Sequence, residues 1–532
     1  MDYKRTMSGF SLLEQFQKRF DSAQAKALEW MALHSACYFY AIPNRDKFWR
    51  SKDQQGEMHG SRVYDTTAIE SVKTFVSKMH TAMTPPQTQW GYLSVDEEWA
   101  ENNPDEAQDA QIELDNYMTR LFEFIHDSNF DVVINECYFD LSVGTACLVV
   151  NQFTDKNPLL FTSIPMDKLA VEEAMTGKLE SWYRWWEDVK INEIKVRWPK
   201  AIIPEDLISD VSNNADAVVR KINEGVMYVP NEVRPYHYVV ATESGILYEE
   251  YLDINPGITW RFQKTNDDIF GRGPVMDALP SIISLNELAR IELAAANLNT
   301  FKPYMAFSDA VFNPHTFVME PMTIIPIAPL GNQGPPLVPL PDSSAPQFSQ
   351  MTIQDLRMQI KTLLFADSPI PNGPNDSKQP PTATEVMAGN QLLAQRIGPL
   401  FSRLQQEFLV PLLDRCSYIL HKMGKLPIPN IKGLKINFQY RSPLALAKGQ
   451  EQIARFTQYV QILQGISGPE ATQLFINSGQ YPWIIANLMQ LDSRFLNSPE
   501  KVQEVAQQMQ QQQQQQQEAA QQQEEPQASQ TQ

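Results

Sequence analysis

Cysteine is scarce in this chain: Cys37, Cys137, Cys147 and Cys416 are scattered without CxxC spacing. That excludes a secreted disulfide framework and suits buried, reduced thiols made in a cytoplasm. The phosphate-cradling pattern GxxxxGK[ST] is missing, which removes P-loop nucleotide hydrolysis, and Gly271-x-Gly273 lacks the third glycine of a dinucleotide fingerprint. Seven histidines show neither HExxH nor a grouping with cysteine, so no metal site and no cofactor are expected. There is no GxSxG elbow. Paired acids such as Asp96-Glu97-Glu98 and Asp267-Asp268 read as solvated surface rather than as a catalytic dyad. Long uncharged apolar runs are absent as well: the most apolar helix is interrupted by Glu287, Arg290 and Glu292, so no membrane span is expected. The start, Met-Asp-Tyr-Lys-Arg, leads into an amphipathic helix, and no signal peptide is expected. Positive charge is also in short supply. Lys and Arg number 44 against 63 Asp and Glu, a formal net charge of -19, whereas a tight grip on nucleic acid needs cations to displace counterions.

Proline, by contrast, is plentiful, and its placement divides the chain. Between Phe301 and Gln350 stand Pro303, Pro314, Pro321, Pro326, Pro329, Pro335, Pro336, Pro339, Pro341 and Pro346, a density that excludes helix and predicts extended strands and turns. Before it, an apolar helix opens at Phe270-Gly-Arg-Gly-Pro274 and runs to about Thr300, roughly 35 Å. Ile282, Ile283, Leu285, Leu288, Ile291 and Leu293 cover more than one of its faces, so it must pack on several sides. After it, Ile353, Leu356, Ile360, Leu363 and Leu364 predict a helix from Met351 to Ala366. Asp367 to Pro381 reads as loop. A third helix starts with Thr382 and Glu385 as a capping box and continues to about Met423 through Pro399 and Pro411, each of which removes a backbone donor and should kink the rod.

The rest predicts an α+β chain, mainly helical, with room for two to four domains. Leu13, Phe16, Phe20, Ala23, Ala27 and Trp30 form one helical stripe, opened by a Ser11/Glu14 capping box and stopped near Pro43. Ile69, Val72, Val76, Met79 and Met83 form another, and Asn103 with Pro104 opens a third. Thr145 to Phe153 reads as a strand in a β-rich stretch reaching about Lys264, with Tyr236 to Ala241 and Ile246 to Tyr251 as a hairpin. Leu179-Glu-Ser-Trp-Tyr-Arg-Trp-Trp186 reads as a half-buried strand, with a stacking platform as the alternative. A strand over Leu434 to Tyr440 precedes helices from Lys448 to Leu491, and from Lys501 glutamine dominates, as disordered chain or a frayed helix.

Four stretches in order resemble the portal (head-to-tail connector) proteins of short-tailed, podovirus-type bacteriophages. They are Met83-Thr-Pro-Pro-Gln-Thr-Gln-Trp-Gly-Tyr-Leu93; Ser128-Asn-Phe followed by Leu141-Ser-Val-Gly-Thr-Ala-Cys-Leu-Val-Val150; Phe270-Gly-Arg-Gly-Pro to Leu288; and Pro381-Thr-Ala-Thr-Glu-Val-Met387 leading to Phe408-Leu-Val-Pro-Leu-Leu413. The resemblance spans roughly Phe10 to Leu491. It implies a portal fold assembled as a cyclic ring, a dodecamer, at one capsid vertex of a virion whose parts are made in the host bacterial cytoplasm. Residues 1–269 would form the wing, 270–300 the first stem helix, 301–350 the clip, 351–366 the second stem helix and 367–381 the tunnel loop. Residues 382–425 would form a kinked wing helix, 426–497 the crown and 498–532 the tail. Double-stranded DNA would be packaged and ejected through the channel without sequence-specific binding, past an acidic wall that keeps it from sticking; the same acidity also serves plain solubility.

The resemblance further implies no catalysis in this chain, with ATPase activity in a separate terminase large subunit that docks on the clip, about Val311 to Pro341, before tail adaptor and nozzle proteins replace it. Major capsid, scaffolding or internal core proteins are the other expected partners. Candidate DNA-channel residues are the sparse cations Arg290, Arg357, Lys361 and Lys378, although Arg290 and Arg357 equally suit salt bridges between subunits. Pro371, Asn372, Gly373, Pro374 and Asn375 are the tunnel-loop candidates, the glycine lending freedom and the prolines limiting range. Another head-tail adaptor or virion ring protein, and a phage enzyme with an unrecognised site, are the alternatives.

Deleting Asn372 to Gln379 is expected to spare ring assembly and to impair packaging or retention of DNA. Virions of the deletion strain that fill and hold genomes normally, by DNA content per particle, would remove the gating role.

Overall fold

The computed structural model describes residues 11–48, 60–95, 99, 104–203, 218–243, 245–300, 304–306, 337–339, 346–367, 400, 402–427, 436–440, 453–463, 465 and 485. Among them helix predominates over strand. α1 (Leu12–Ala41) starts where the Ser11 hydroxyl accepts from the Glu14 N–H while the Glu14 carboxylate accepts from the Ser11 N–H, the expected capping box. Phe16 and Phe20 bury against Tyr183, and the later turns sink Cys37, Tyr38 and Ala41 into the main core. α2 (Thr67–Met83) follows, then the short strand β1 (Gly91–Val95). α3 (Pro104–His126) begins on the proline that the sequence pointed to, and α4 (Phe130–Val143) is buried along most of its length.

Two antiparallel sheets come next. β2 (Thr145–Gln152) lies between β3 (Leu159–Ser163) and β9 (Gly257–Arg261). The second sheet runs in chain order: β4 (Leu169–Glu173), β5 (Leu179–Lys190), β6 (Val218–Tyr228), β7 (Tyr236–Ala241) and β8 (Ile246–Leu252), with the short helix α5 (Ile191–Arg197) after β5. The expected hairpin is the pair β7 and β8. β5 is buried over Ser181, Trp182 and Tyr183 and becomes half-buried to exposed from Arg184 to Asp188, and the fully buried Trp182 donates its indole N–H to Asn255 Oδ1 at 3.1 Å.

α6 (Pro274–Thr300) is the long apolar helix. Its entrance explains the Phe270-Gly-Arg-Gly motif: a Cβ on Gly271 would lie 2.3 Å from the Gly144 carbonyl oxygen, and one on Gly273 2.3 Å from that of Ser142. The backbone therefore lies directly on the α4–β2 turn, with Gly271 N–H donating to Thr145 Oγ1 and Gly273 N–H to the Val143 carbonyl, each at 2.8 Å. Two of the four recognition stretches, far apart in sequence, are thus one contact.

β10 (Tyr304–Ala306) pairs with β11 (Leu337–Pro339) and closes the proline-rich segment as an antiparallel ladder. The sequence reading needs correction at its far end. α7 spans Pro346–Leu363, so 346–350, expected as extended chain, are helical; proline is tolerated in a first turn, where its missing N–H has no acceptor in any case. In the third helix, a π-helical stretch (Gln405–Leu409) precedes α8 (Val410–Lys422). A proline ring at 411 would crowd the carbonyl of Glu407 four residues back, and the widened turn makes room for it. β12 (Ile436–Tyr440) pairs with β1. Residues 382–399, most of 448–491 and the glutamine tail lie outside the described residues.

One buried ion pair fastens these parts. Arg261 on β9 is 0% exposed; its Nη2 donates to Glu407 Oε1 at 2.8 Å and to the Gly177 carbonyl at 2.6 Å, and its backbone N–H donates to Glu407 Oε2 at 3.0 Å. Next to it Trp260 stacks on Phe408 with centroids 4.2 Å apart. Another buried group, His34, is held among Trp30, Phe48 and Phe270, and burial pushes its imidazole down to about 4.

Glu407→Ala leaves the Arg261 guanidinium buried without its main counter-ion and is expected to cost about 3–5 kcal/mol in denaturant unfolding. His34 stays neutral in the folded chain while the unfolded chain takes up a proton near 6.5, so stability should fall as pH drops from about 6.5 toward 4. His34→Leu should flatten that part of the profile; a profile identical to wild type would exclude His34 as its source.

Candidate functional site

α6 and α7 pack against each other and form the most promising surface for function. The first half of α6 is sunk in the core, with Val275, Ala278, Leu279, Ile282 and Leu285 buried. Further along, Ile291 and Leu293 are about half exposed at 51% and 53%, and Met351 and Met358 on α7 stand out at 68% each. Ile283 is exposed too. Apolar side chains thus face water on both helices, beyond what the packing between them covers.

Two polar clasps hold the pair to the segment before α2. Asn286 on α6 accepts from the Tyr64 N–H at 2.7 Å and donates to the Arg62 carbonyl at 3.1 Å. Arg357 on α7 forms two bonds to Asp65 Oδ2, at 2.7 and 3.0 Å, while Asp65 Oδ1 accepts from the Thr67 N–H that opens α2. Burial alone would raise the Asp65 pKa. The hydrogen bonds from Thr67 and the Arg357 guanidinium outweigh it and hold the carboxyl below its usual range.

The far end of α7 is clamped as well. Phe365 takes φ 55° where a glycine is usual, with the Ala366 N–H reaching back to the Lys361 carbonyl at 2.7 Å and the Phe365 N–H to Thr362 at 3.2 Å. Its ring lies near Phe75 and Phe262, and Lys78 Nζ donates to the carbonyls of Phe365 and Asp367 at 2.8 and 2.9 Å. Packing and hydrogen bonds over-determine a backbone conformation that a bulky residue otherwise avoids.

Of the candidate channel cations, Arg290 pairs with Glu287 one turn back on an exposed face, and Arg357 is engaged by Asp65. Both guanidiniums have partners within the chain. Lys361 is exposed and makes no ion pair with a described residue. Lys378 and the loop candidates Pro371, Asn372, Gly373, Pro374 and Asn375 lie outside the described residues. Asp65, Asn286, Lys78 and Phe365 escaped sequence reasoning, because the partners that tie them to the helix pair, Arg357, Tyr64, Phe365 and Phe75 respectively, are more than 200 positions away and leave no local pattern. Among the described residues no group of three or more His, Cys, Asp or Glu side chains could hold a metal ion, and no helix is long and apolar enough to cross a membrane. All four cysteines are buried and unbridged.

Comparison with known proteins covers most of the chain. The family model described as bacteriophage head to tail connecting protein matches residues 13–496. The probable portal protein of Bordetella phage BPP-1 is 21% identical over 531 residues, covering 92% of this chain and 90% of that one. The portal protein of Salmonella phage epsilon15 is 20% identical over 440 residues, covering 79% and 76%. A chain from the virion of a native gene transfer agent (GTA) particle superposes with a TM-score of 0.38 at 11% identity, covering 85% of this chain and 92% of its own. So slight a superposition leaves the fold to be argued from this chain's own contacts.

Asp65→Asn and Arg357→Gln are expected each to loosen α7 from the start of α2. In a double-mutant cycle by denaturant unfolding their coupling should be about 0.5–1 kcal/mol, modest because the arginine is half exposed. A coupling of zero would make the pair incidental.

Proposed function

The chain belongs to the family of bacteriophage head to tail connecting proteins, and from that premise we propose that its copies close into a ring at one capsid vertex of a short-tailed phage, a portal through which double-stranded DNA is packaged and later ejected. The observation that carries this reading is the apolar surplus of α6 and α7. Ile283, Ile291, Leu293, Met351 and Met358 face water in a single copy, and rotation about a closed axis buries such surface against the next copy without leaving an open edge.

In this reading α6 and α7 are the stem, and the chain between them, closed at its base by β10 and β11, is the clip. The residues before α6 and the helix that ends in α8 are the wing, 367–381 is a tunnel loop and 426–497 a crown. Lys361, exposed and without an ion pair to a described residue, is the described cation best suited to meet passing DNA. The formal charge of -19 per copy suits a wall over which a polyanion slides. The role is structural. Nucleotide hydrolysis belongs to a separate terminase large subunit that docks on the clip and gives way to tail adaptor and nozzle proteins, while capsid, scaffolding or core proteins meet the outer surface. Twelve copies are the number that the sequence resemblance implies.

Electron microscopy with class averaging on the purified 60.7 kDa chain, with mass by light scattering, is expected to give closed rings with a central channel. Ile291→Lys and Met358→Lys should keep the circular dichroism of the wild type and lose rings. A compact wild-type monomer or dimer persisting at high concentration would overturn the reading.

A further inference from the structure

The aromatic stretch of β5 carries a feature that the proposed channel does not use: Trp186 packs at the edge of the small core around Ile194 and Trp198 and also carries two arginines. The guanidinium carbon of Arg184 lies 3.6 Å from the centroid of the Trp186 ring, and that of Arg197, at the end of α5, lies 3.9 Å from it. Two planar groups cannot share the space over one centroid. They therefore take opposite faces, and the indole is held between two like charges.

Two carboxylates act on Arg184, Glu224 directly across the β5–β6 pair and Asp167 more weakly, and the hydrogen bonds of Glu224 are already committed. Glu224 Oε2 accepts from the Trp186 indole at 2.7 Å and Oε1 from the Tyr238 hydroxyl at 2.8 Å, while Trp198 donates to that hydroxyl at 2.8 Å. Arg184 Nε is buried without a hydrogen-bond partner, and neither arginine makes an ion pair with a described residue. Trp186 is fixed by Glu224 and only half buried, and Arg197 is exposed. Two stacked guanidiniums, an ordered indole and an accessible outer face together have the make-up of a binding hot spot rather than of a structural ion pair.

We propose that this Arg184–Trp186–Arg197 clamp is an interaction surface that receives an acidic side chain from a second copy of this chain. The inference rests on the ring reading above. Charge selects the occupant. Each copy carries 63 acidic against 44 basic residues, so two copies approach as like charges, and a contact between them needs places where clustered cations meet the surplus carboxylates. Duplex DNA fits worse. Its phosphates recur about every 1.7 Å of helix axis and call for a row of cations, whereas here two arginines are neighboured along the chain by the exposed acids Glu187, Asp188 and Glu193.

The test uses the full chain as wild type, Arg197→Gln, Arg197→Glu and Arg184→Gln, with ring mass followed by mass photometry over a protein dilution series. Arg197 is exposed, so its two variants should keep the wild-type circular dichroism and melting temperature and carry the test even if Arg184→Gln fails to fold. The protein concentration for half assembly is expected to rise roughly tenfold in Arg197→Gln and further in Arg197→Glu. Wild-type rings together with unchanged assembly of both Arg197 variants would overturn the clamp and leave the ring reading standing. A wild-type chain that forms no ring would overturn both. Duplex DNA retained by wild type and lost by Arg197→Glu, with assembly unaltered, would assign the clamp to nucleic acid and overturn the proposal.

Discussion

Arg261 is the residue around which the rest of this structure is arranged. A guanidinium with no access to water costs several kcal/mol unless its charge and hydrogen bonds are met. The groups that meet them come from distant parts of the chain: Glu407 from the π-helical stretch, Glu173 and the Gly177 carbonyl from the β4–β5 turn, and the Ile269 carbonyl just before α6. Lys264 shares Glu173, so a second cation depends on the same cluster. The three-stranded sheet, the edge of the five-stranded sheet, the last helix and the entry to α6 must therefore come together as a unit. Pro411 belongs to this arrangement as well. The carbonyl that its ring would crowd is that of Glu407, so the π turn that relieves the crowding sits at the residue whose side chain holds Arg261.

From that anchored entry α6 leaves the core along a gradient of burial. Its first turns are pinned by Gly271 and Gly273 on the α4–β2 turn, and Val275 and Ala278 are wholly buried, whereas Ile291 and Leu293 are half in water. A helix of this kind is secured at one end by its own chain and leaves apolar surface at the other for something else to cover. α7 is held along its length by different means: Asp65 engages its middle through Arg357, and Lys78 with Phe75 and Phe262 secures its end around Phe365. The left-handed backbone at Phe365 stores strain at the point where the chain enters residues 367–381, and the surrounding packing sustains it.

Acidity shapes both faces of the molecule. With so few cations to spend, the chain gives Arg261 and Arg415 to the interior, where Arg415 donates to the carbonyls of Val150 and Ile254, and gives Arg357 and Arg290 to intrachain pairs. Among the cations without an ion pair to a described residue are Lys361 at the helix pair, Arg184 on β5 and Arg197 at the end of α5, and the stacking of the last two on Trp186 sets them apart from the rest.

Much of the fold was legible in the sequence, because helix caps, proline breaks and apolar periodicity act within a few residues of one another. Ser11 with Glu14 announced the start of α1, and Pro104 that of α3. The alternation around residue 245 announced β7 and β8, and the multi-sided apolar pattern of α6 announced a helix that needs more than one neighbour. Proline density misled at 346–350, since a rule about helix interiors does not govern a first turn. The candidate site was legible only as a list of scarce cations. Which of them are engaged depends on contacts such as Asp65 with Arg357, 292 positions apart, and no local pattern encodes such a meeting. The sequence by itself determined the elements, the acidic balance and the two glycine-bearing stretches. Only the tertiary structure decided that those stretches touch, that Arg261 lies at their centre and that Trp186 stands between two arginines, because each is a matter of long-range packing, where burial rather than spacing sets the cost of being unpaired.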